Sequence, residues 1–303
     1  MLLFSFTGCR RREPQYQDGL LHVTATIFPA FDFVRNVGGS KINVTMLIPP
    51  GLDIHFFEPS PRNIITIQNS DLFVFVGGDM DHWAERILQS INTENMKVLA
   101  MADLVDLIEH DEECDEETHG AEGHVCGLLF DEHVWTSPRN AKLIVYGIAE
   151  LLSHIDPDNS EYFRNNAAAY IAELEKIDAA FTEVVENAVR RTIIFGDRFP
   201  FAYFVRDYGL DYMAAFAGCS TDTDPSAQTV AALITRVREE EIPVVFHIEL
   251  SNARIANTIA NAAGAQVRML HSVHNVTRDD FNAGLGYLDF MRHNVEALRE
   301  ALH

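Results

Sequence analysis

The chain has 303 residues, enough for two domains of ordinary size that each bury a core. It is 47% hydrophobic and 22% charged, with a formal net charge of -22. That charge argues against nucleic acid as a partner, because phosphate binding needs a cationic face; no run of about 20 apolar residues occurs, so no membrane-spanning helix is expected.

The first residues, MLLFSFTGCRRR, carry an apolar stretch into small residues and Cys9, then a basic and polar tether over residues 10–19. The pattern resembles the end of a bacterial lipoprotein signal, in which the cysteine is lipidated and becomes the first residue of the mature protein. Residues 1–19 are therefore expected to be a signal remnant and tether with Cys9 as its anchor.

Strands and helices then alternate. Apolar runs at 21–28, 42–48, 72–76 and 97–101 read as strands, separated by helices at 30–37, 60–69 and 81–91. Ser60 followed by Pro61 is a helix start, and Gly38-Gly39 a helix end. Short apolar runs bounded by turns and separated by helices predict a parallel sheet covered on both faces.

Residues 109–135 read EHDEECDEETHGAEGHVCGLLFDEHVW, with His110, His119, His124, His133, Cys114 and Cys126, many carboxylates and no lysine or arginine. No apolar period runs through the segment, so most of it is expected to be a solvated loop over residues 109–130. Imidazole, thiolate and carboxylate together suit a borderline divalent metal such as zinc. Four cysteines do not make a disulfide framework, and Cys219, after an apolar run, reads as a core residue.

From Ser137 two helices are expected, at 137–155 and 161–189. The second, at about 29 residues and 1.5 Å per residue, is roughly 43 Å long, a stiff connector. Alternation resumes with strands at 192–196, 210–216, 243–248 and 265–270, helices at 199–207, 226–241 and 253–263, and a closing helix at 279–302. The expected fold is α/β: two parallel-sheet α/β lobes, residues 20–136 and 191–303, joined by a helical connector at 137–190 that contains the long rigid helix.

In open α/β sheets, binding groups gather past the carboxyl ends of the strands. His55, His133, His271, Glu249 and Asp197 all fall there, from both halves, and converge on the interlobe cleft if the halves face each other. His274, close to His271, reads as a substitute ligand or a supporting partner, and His247 as an interior histidine. There is no G-x-S-x-G, no Gly-rich phosphate loop and no H-E-x-x-H helix.

GLDIHFFEPSPRNIITIQNSDLFVFVGGDMDHW, FDEHVWTSPRNAKLI, GDRFPFAYFVRDYGL and RMLHSVHN together resemble the solute-binding proteins of zinc and manganese ABC importers, over nearly the whole chain from Leu21 to Leu302. The resemblance implies two α/β lobes on a rigid helix, with His55 and His133 as ligands and the acidic His/Cys loop as a metal-collecting accessory of the zinc-importing branch. It also implies partnership with a permease and its ATPase, an extracytoplasmic location and capture without catalysis.

The chain departs from the family pattern at two ligand positions. Arg198 stands where the third ligand is expected, and a guanidinium cannot coordinate a cation; His271 is read at the last. The expected metal set is then His55, His133 and His271, with water, Glu249 or Asp197 in fourth place, and Arg198 paired with Asp197 or Glu249. Three imidazoles and one oxygen favour Zn(II) over Mn(II). A monomer is expected. The competing readings are a metal-binding surface adhesin of the same fold and a three-histidine zinc enzyme that activates water.

Overall fold

The computed structural model describes residues 19–54, 57–110, 129–216 and 224–303. The first lobe runs β1 (Leu21–Ala25), α1 (Phe28–Gly38), β2 (Ile42–Met46), α2 (Pro61–Gln68), β3 (Leu72–Phe75), α3 (His82–Ser90) and β4 (Lys97–Ala100). All pairings are parallel, in the order β2-β1-β3-β4. Every residue of β3 is buried, as expected of a central strand covered on both faces. Ser60 caps α2 reciprocally with Asn63, with Pro61 in the first turn. The acidic segment is flanked by a two-residue antiparallel ribbon, β5 (Glu109–His110) with β6 (Leu129–Phe130).

Two helices follow, α4 (Pro138–Ile155) and α5 (Ser160–Glu186). At 27 residues α5 is about 40 Å long. Its buried side chains, Phe163, Ala167, Tyr170, Leu174, Ile177, Phe181 and Val184, recur every three or four positions and form one apolar stripe. That stripe belongs to a single core that also holds Val23 and Val74 of the first sheet and Ile193 and Phe246 of the second. The helix is thus bound to both lobes by shared packing, which opposes a wide hinge motion.

The second lobe contains β7 (Thr192–Phe195), α6 (Ala202–Tyr208), β8 (Asp211–Ala214), α7 (Ala227–Glu239), β9 (Val244–His247), α8 (Arg254–Ala263), β10 (Gln266–Met269), α9 (Arg278–Ala283) and α10 (Tyr287–Leu302). Its sheet order is β10-β9-β7-β8. Counted from β7, this is the first lobe's order again: second, first, third, fourth. The closing helix expected at 279–302 is instead two helices, because Gly284 adopts a left-handed cap (φ 78°) after α9 and Gly286 starts α10.

Candidate metal centre

Equivalent strand orders give equivalent crevices. In each sheet the chain leaves the first and third strands in opposite directions, so the switch point lies between β1 and β3 and between β7 and β9. The protein closes both with its own carboxylates. Asp81 accepts the Val76 N–H (2.5 Å) and the Thr26 hydroxyl (3.2 Å). Asp197 accepts the Arg198 N–H (2.9 Å) and the Ile248 N–H (3.4 Å). Asp197, expected as a fourth-ligand candidate, therefore has both its oxygens bonded to backbone N–H groups. Burial raises the Asp81 carboxyl to about 6 against those hydrogen bonds, and its second oxygen has no hydrogen-bond partner among the described residues.

His133 precedes a short 3-10 turn, Val134–Thr136, and is 4% exposed. The Asp131 Oδ1 accepts both its backbone N–H (2.9 Å) and a bond from its Nδ1 (2.8 Å). An acid at that distance places the ring proton on Nδ1 and the lone pair on Nε2, the tautomer that binds a metal through Nε2. Next to it, burial pushes the Glu132 carboxyl up to about 7, partly offset by the Met80 N–H that it accepts.

The second lobe contributes the turn after β10. His274 of this turn lies beside His133, with ring centroids 4.6 Å apart, and both rings meet Trp135 edge-on. His271 is 2% exposed and stacks on Phe290 (4.1 Å). Its Nδ1 accepts the Val273 N–H (3.0 Å), so its proton sits on Nε2, the wrong tautomer for metal binding through that atom. Burial, the largest influence, depresses its basicity, and the Glu249 carboxylate partly offsets that. Val273, β-branched, has φ 61°, a left-handed conformation that costs of order 1–2 kcal/mol. The His271 acceptor and the Asn294 amide, bonded to both the His271 N–H (2.7 Å) and its carbonyl (2.8 Å), hold that strained turn.

Glu249, the other expected ligand from this lobe, is 6% exposed and occupied by the same turn. It accepts the Ser272 N–H (2.7 Å), the Ser272 hydroxyl (2.6 Å) and the His274 N–H (3.0 Å). Burial alone would raise its carboxyl; the neighbouring His271 and His274 and the Ser272 donors reverse the direction, and it lies below its usual range. His247, read as interior, bonds through Nδ1 with the Ile248 carbonyl (2.9 Å).

The lobes are tied beside this pair. Asn275 Nδ2 donates to the carbonyls of Pro49 and Leu52 (both 2.8 Å), and the Gly51 N–H donates to the Val276 carbonyl (2.8 Å). Trp135 Nε1 donates to the Ser272 carbonyl (2.8 Å). Arg198 was expected to pair with Asp197 or Glu249; its guanidinium instead crosses to Asp53 of the first lobe (3.2 Å). The cation thus holds the loop that leads into His55 rather than a carboxylate of its own lobe.

Of the remaining predicted residues, Cys9, His55, Cys114, His119, His124, Cys126 and Cys219 lie outside the described residues, and His110 is described only as backbone of β5. Among the described residues His133 and His274 form a pair, and no group of three His, Cys, Asp or Glu side chains is arranged to hold a metal ion. Sequence reasoning missed Asp131 and Ser272. The signal for Asp131 was present, an acid two residues before a histidine; Ser272 carries none, since only the turn brings its hydroxyl to His274 and Glu249.

The chain matches the family model described as zinc-uptake complex component A, periplasmic, over residues 23–301. It is 34% identical over 284 residues to the zinc-binding lipoprotein AdcA of Streptococcus pneumoniae (strain ATCC BAA-255 / R6), covering 93% of this chain and 56% of that protein, so it spans little more than half of that relative's length. It is 32% identical over 282 residues to the high-affinity zinc uptake system protein ZnuA of Bacillus subtilis (strain 168), covering 93% and 88%. Among solved structures, the Zn(II)-bound ZnuA-like domain of Streptococcus pneumoniae AdcA superposes with a TM-score of 0.76 at 31% identity, covering 94% of this chain and 99% of that one. Two lobes of repeated strand order and a shared helical core are matched by similarity along almost the whole chain, which belongs to the family of periplasmic zinc-uptake component A.

Proposed function

We propose that this chain captures a divalent transition metal, Zn(II), in the cleft between its lobes and delivers it to a membrane permease driven by its ATPase, without catalysing a reaction. The observation that carries this reading is the His133–His274 pair: two buried imidazoles from opposite lobes, their ring centroids 4.6 Å apart, each with its Nδ1 hydrogen-bonded to an oxygen of its own lobe. His55, carried by the motif GLDIHFFEPSP, is the third ligand, and water takes the fourth place, since Arg198 cannot bind a cation and Glu249 and Asp197 are engaged elsewhere. Neutral imidazoles favour zinc over manganese, which prefers more carboxylate oxygen. The names of the relatives, a zinc-binding lipoprotein and a zinc uptake protein, support the same cargo.

Residues 20–136 and 191–303 act as the two lobes and 137–190 as the connector. The loop over residues 109–130, with His110, Cys114, His119, His124 and Cys126, gathers cations and passes them inward. The protein works outside the cytoplasm as a monomer, held to the membrane through a lipidated Cys9, in keeping with the periplasmic family description.

Titration of zinc against a competing chelator tests the reading, on wild type, His55→Ala, His133→Ala, His274→Ala and a deletion of residues 109–124. Each histidine variant is expected to weaken the tight site at least tenfold, about 1.4 kcal/mol. The deletion is expected to leave one tight site and remove only weaker ones. Undiminished tight binding in both His133→Ala and His274→Ala sinks the proposed site.

A further inference from the structure

Glu249, Ser272 and His274 form a chain whose proton positions are determined by the donors around it. The Glu249 carboxylate receives three donors from the turn: the Ser272 N–H on Oε2, and the Ser272 hydroxyl and His274 N–H on Oε1. A carboxylate so surrounded accepts only. The single Ser272 hydroxyl proton is therefore committed to Glu249, and the Ser272 Oγ meets His274 Nδ1 (2.5 Å) as an acceptor. The proton between them belongs to Nδ1. His274 is thus a donor at Nδ1 and a lone-pair bearer at Nε2.

We infer that Ser272 and Glu249 are positioning residues that act through His274, fixing its tautomer and increasing its donor strength, and that Glu249 takes no place in the metal's coordination sphere. The inference rests on the reading of His274 as a ligand and deepens it. The two lobes then use different means to one end. His133 is set directly by Asp131 at 2.8 Å, while His274 is set by a carboxylate that acts through a serine hydroxyl, its own Oε1 being 3.9 Å from the His274 Nδ1. The dication also gains a compensating negative charge that is buried (4% side-chain exposure) and cannot leave with it. Fixed orientation and tautomer are the known use of such outer partners, whose removal costs about 10–100-fold in metal affinity.

The test uses the full chain in two arms. Long-range ¹H–¹⁵N correlation spectra of the metal-free, ¹⁵N-histidine-labelled protein read each tautomer, with His274 assigned by its disappearance in His274→Gln. The expected result is protonated Nδ1 and bare Nε2 at His274, and the opposite tautomer at His271. Ser272→Ala is expected to abolish this preference at His274, and Ser272→Thr to restore it. In the second arm, chelator competition is expected to show about tenfold weaker zinc binding for Ser272→Ala and Glu249→Gln, and near wild-type binding for Ser272→Thr. A Thr variant as weak as Ala, or an Nε2-protonated His274 in the wild type, overturns the relay. Unimpaired zinc binding by His274→Gln with the tautomers as stated instead overturns the ligand reading on which it rests.

Discussion

Asn275→Ala is the sharpest test of how the two lobes are held. The Asn275 side chain makes three hydrogen bonds: its Nδ2 donates to the Pro49 and Leu52 carbonyls at 2.8 Å each, and its Oδ1 accepts the Val276 N–H at 2.9 Å. The residue is 1% exposed. Each such bond contributes a net ~1 kcal/mol, and a buried N–H left without an acceptor costs ~1–3 kcal/mol. Pro49 and Leu52 lie in an exposed loop, so water replaces the amide at those two carbonyls and reduces their share. Val276 is fully buried, and its N–H loses its acceptor outright. The expected loss is about 2–3 kcal/mol in urea unfolding of the metal-free protein. Because the bonds join the loop that leads into His55 to the turn that carries His274, zinc affinity is expected to fall about fivefold in chelator competition, roughly 1 kcal/mol. Asn275→Asp provides the sign check: it keeps the acceptor for Val276 but turns a carboxylate oxygen toward two carbonyl oxygens, and should destabilise at neutral pH more than the alanine. A loss under about 0.5 kcal/mol for Asn275→Ala, or an aspartate milder than alanine, refutes the argument.

Two further outcomes follow from the first lobe. Asp131→Asn keeps the shape beside His133 and removes the charge that sets its Nδ1 proton, so zinc binding should weaken about tenfold with little change in the circular dichroism spectrum; equal affinity contradicts the role given to Asp131. Asp81, raised by burial from 3.8 to about 6, keeps its proton in the folded state over a pH range where the unfolded chain has lost it. Its contribution therefore falls as pH rises through 4 to 6, and the penalty is complete above that window, about 2–3 kcal/mol in all. Asp81→Asn lacks this change, so the wild-type-minus-variant difference in unfolding free energy should become less favourable to the wild type by about 2 kcal/mol between pH 4.5 and 7.5. A pH-independent difference contradicts it.

The sequence by itself determined the elements and their class. Apolar runs such as LFVF and TIIF, short and bounded by turns, read as central strands and are buried at every position, and the three-and-four spacing along α5 required a long helix with one buried stripe. It also determined that imidazoles stand at strand ends in both halves, because topology fixes where such loops emerge. Which histidine lies beside His133 was decided only by tertiary structure. His271 and His274 are three residues apart in an irregular turn, and no period tells which side chain points outward. The left-handed Val273, the stacking of His271 on Phe290 and the Glu249 carboxylate beneath Ser272 settle their orientations. In the same way Arg198 could be identified as a non-ligand from its charge alone, but its partner, Asp53 at 145 residues' separation, depends on how the lobes face each other. Local pattern follows from neighbours along the chain, whereas the direction of a side chain at a site follows from groups that only folding brings together.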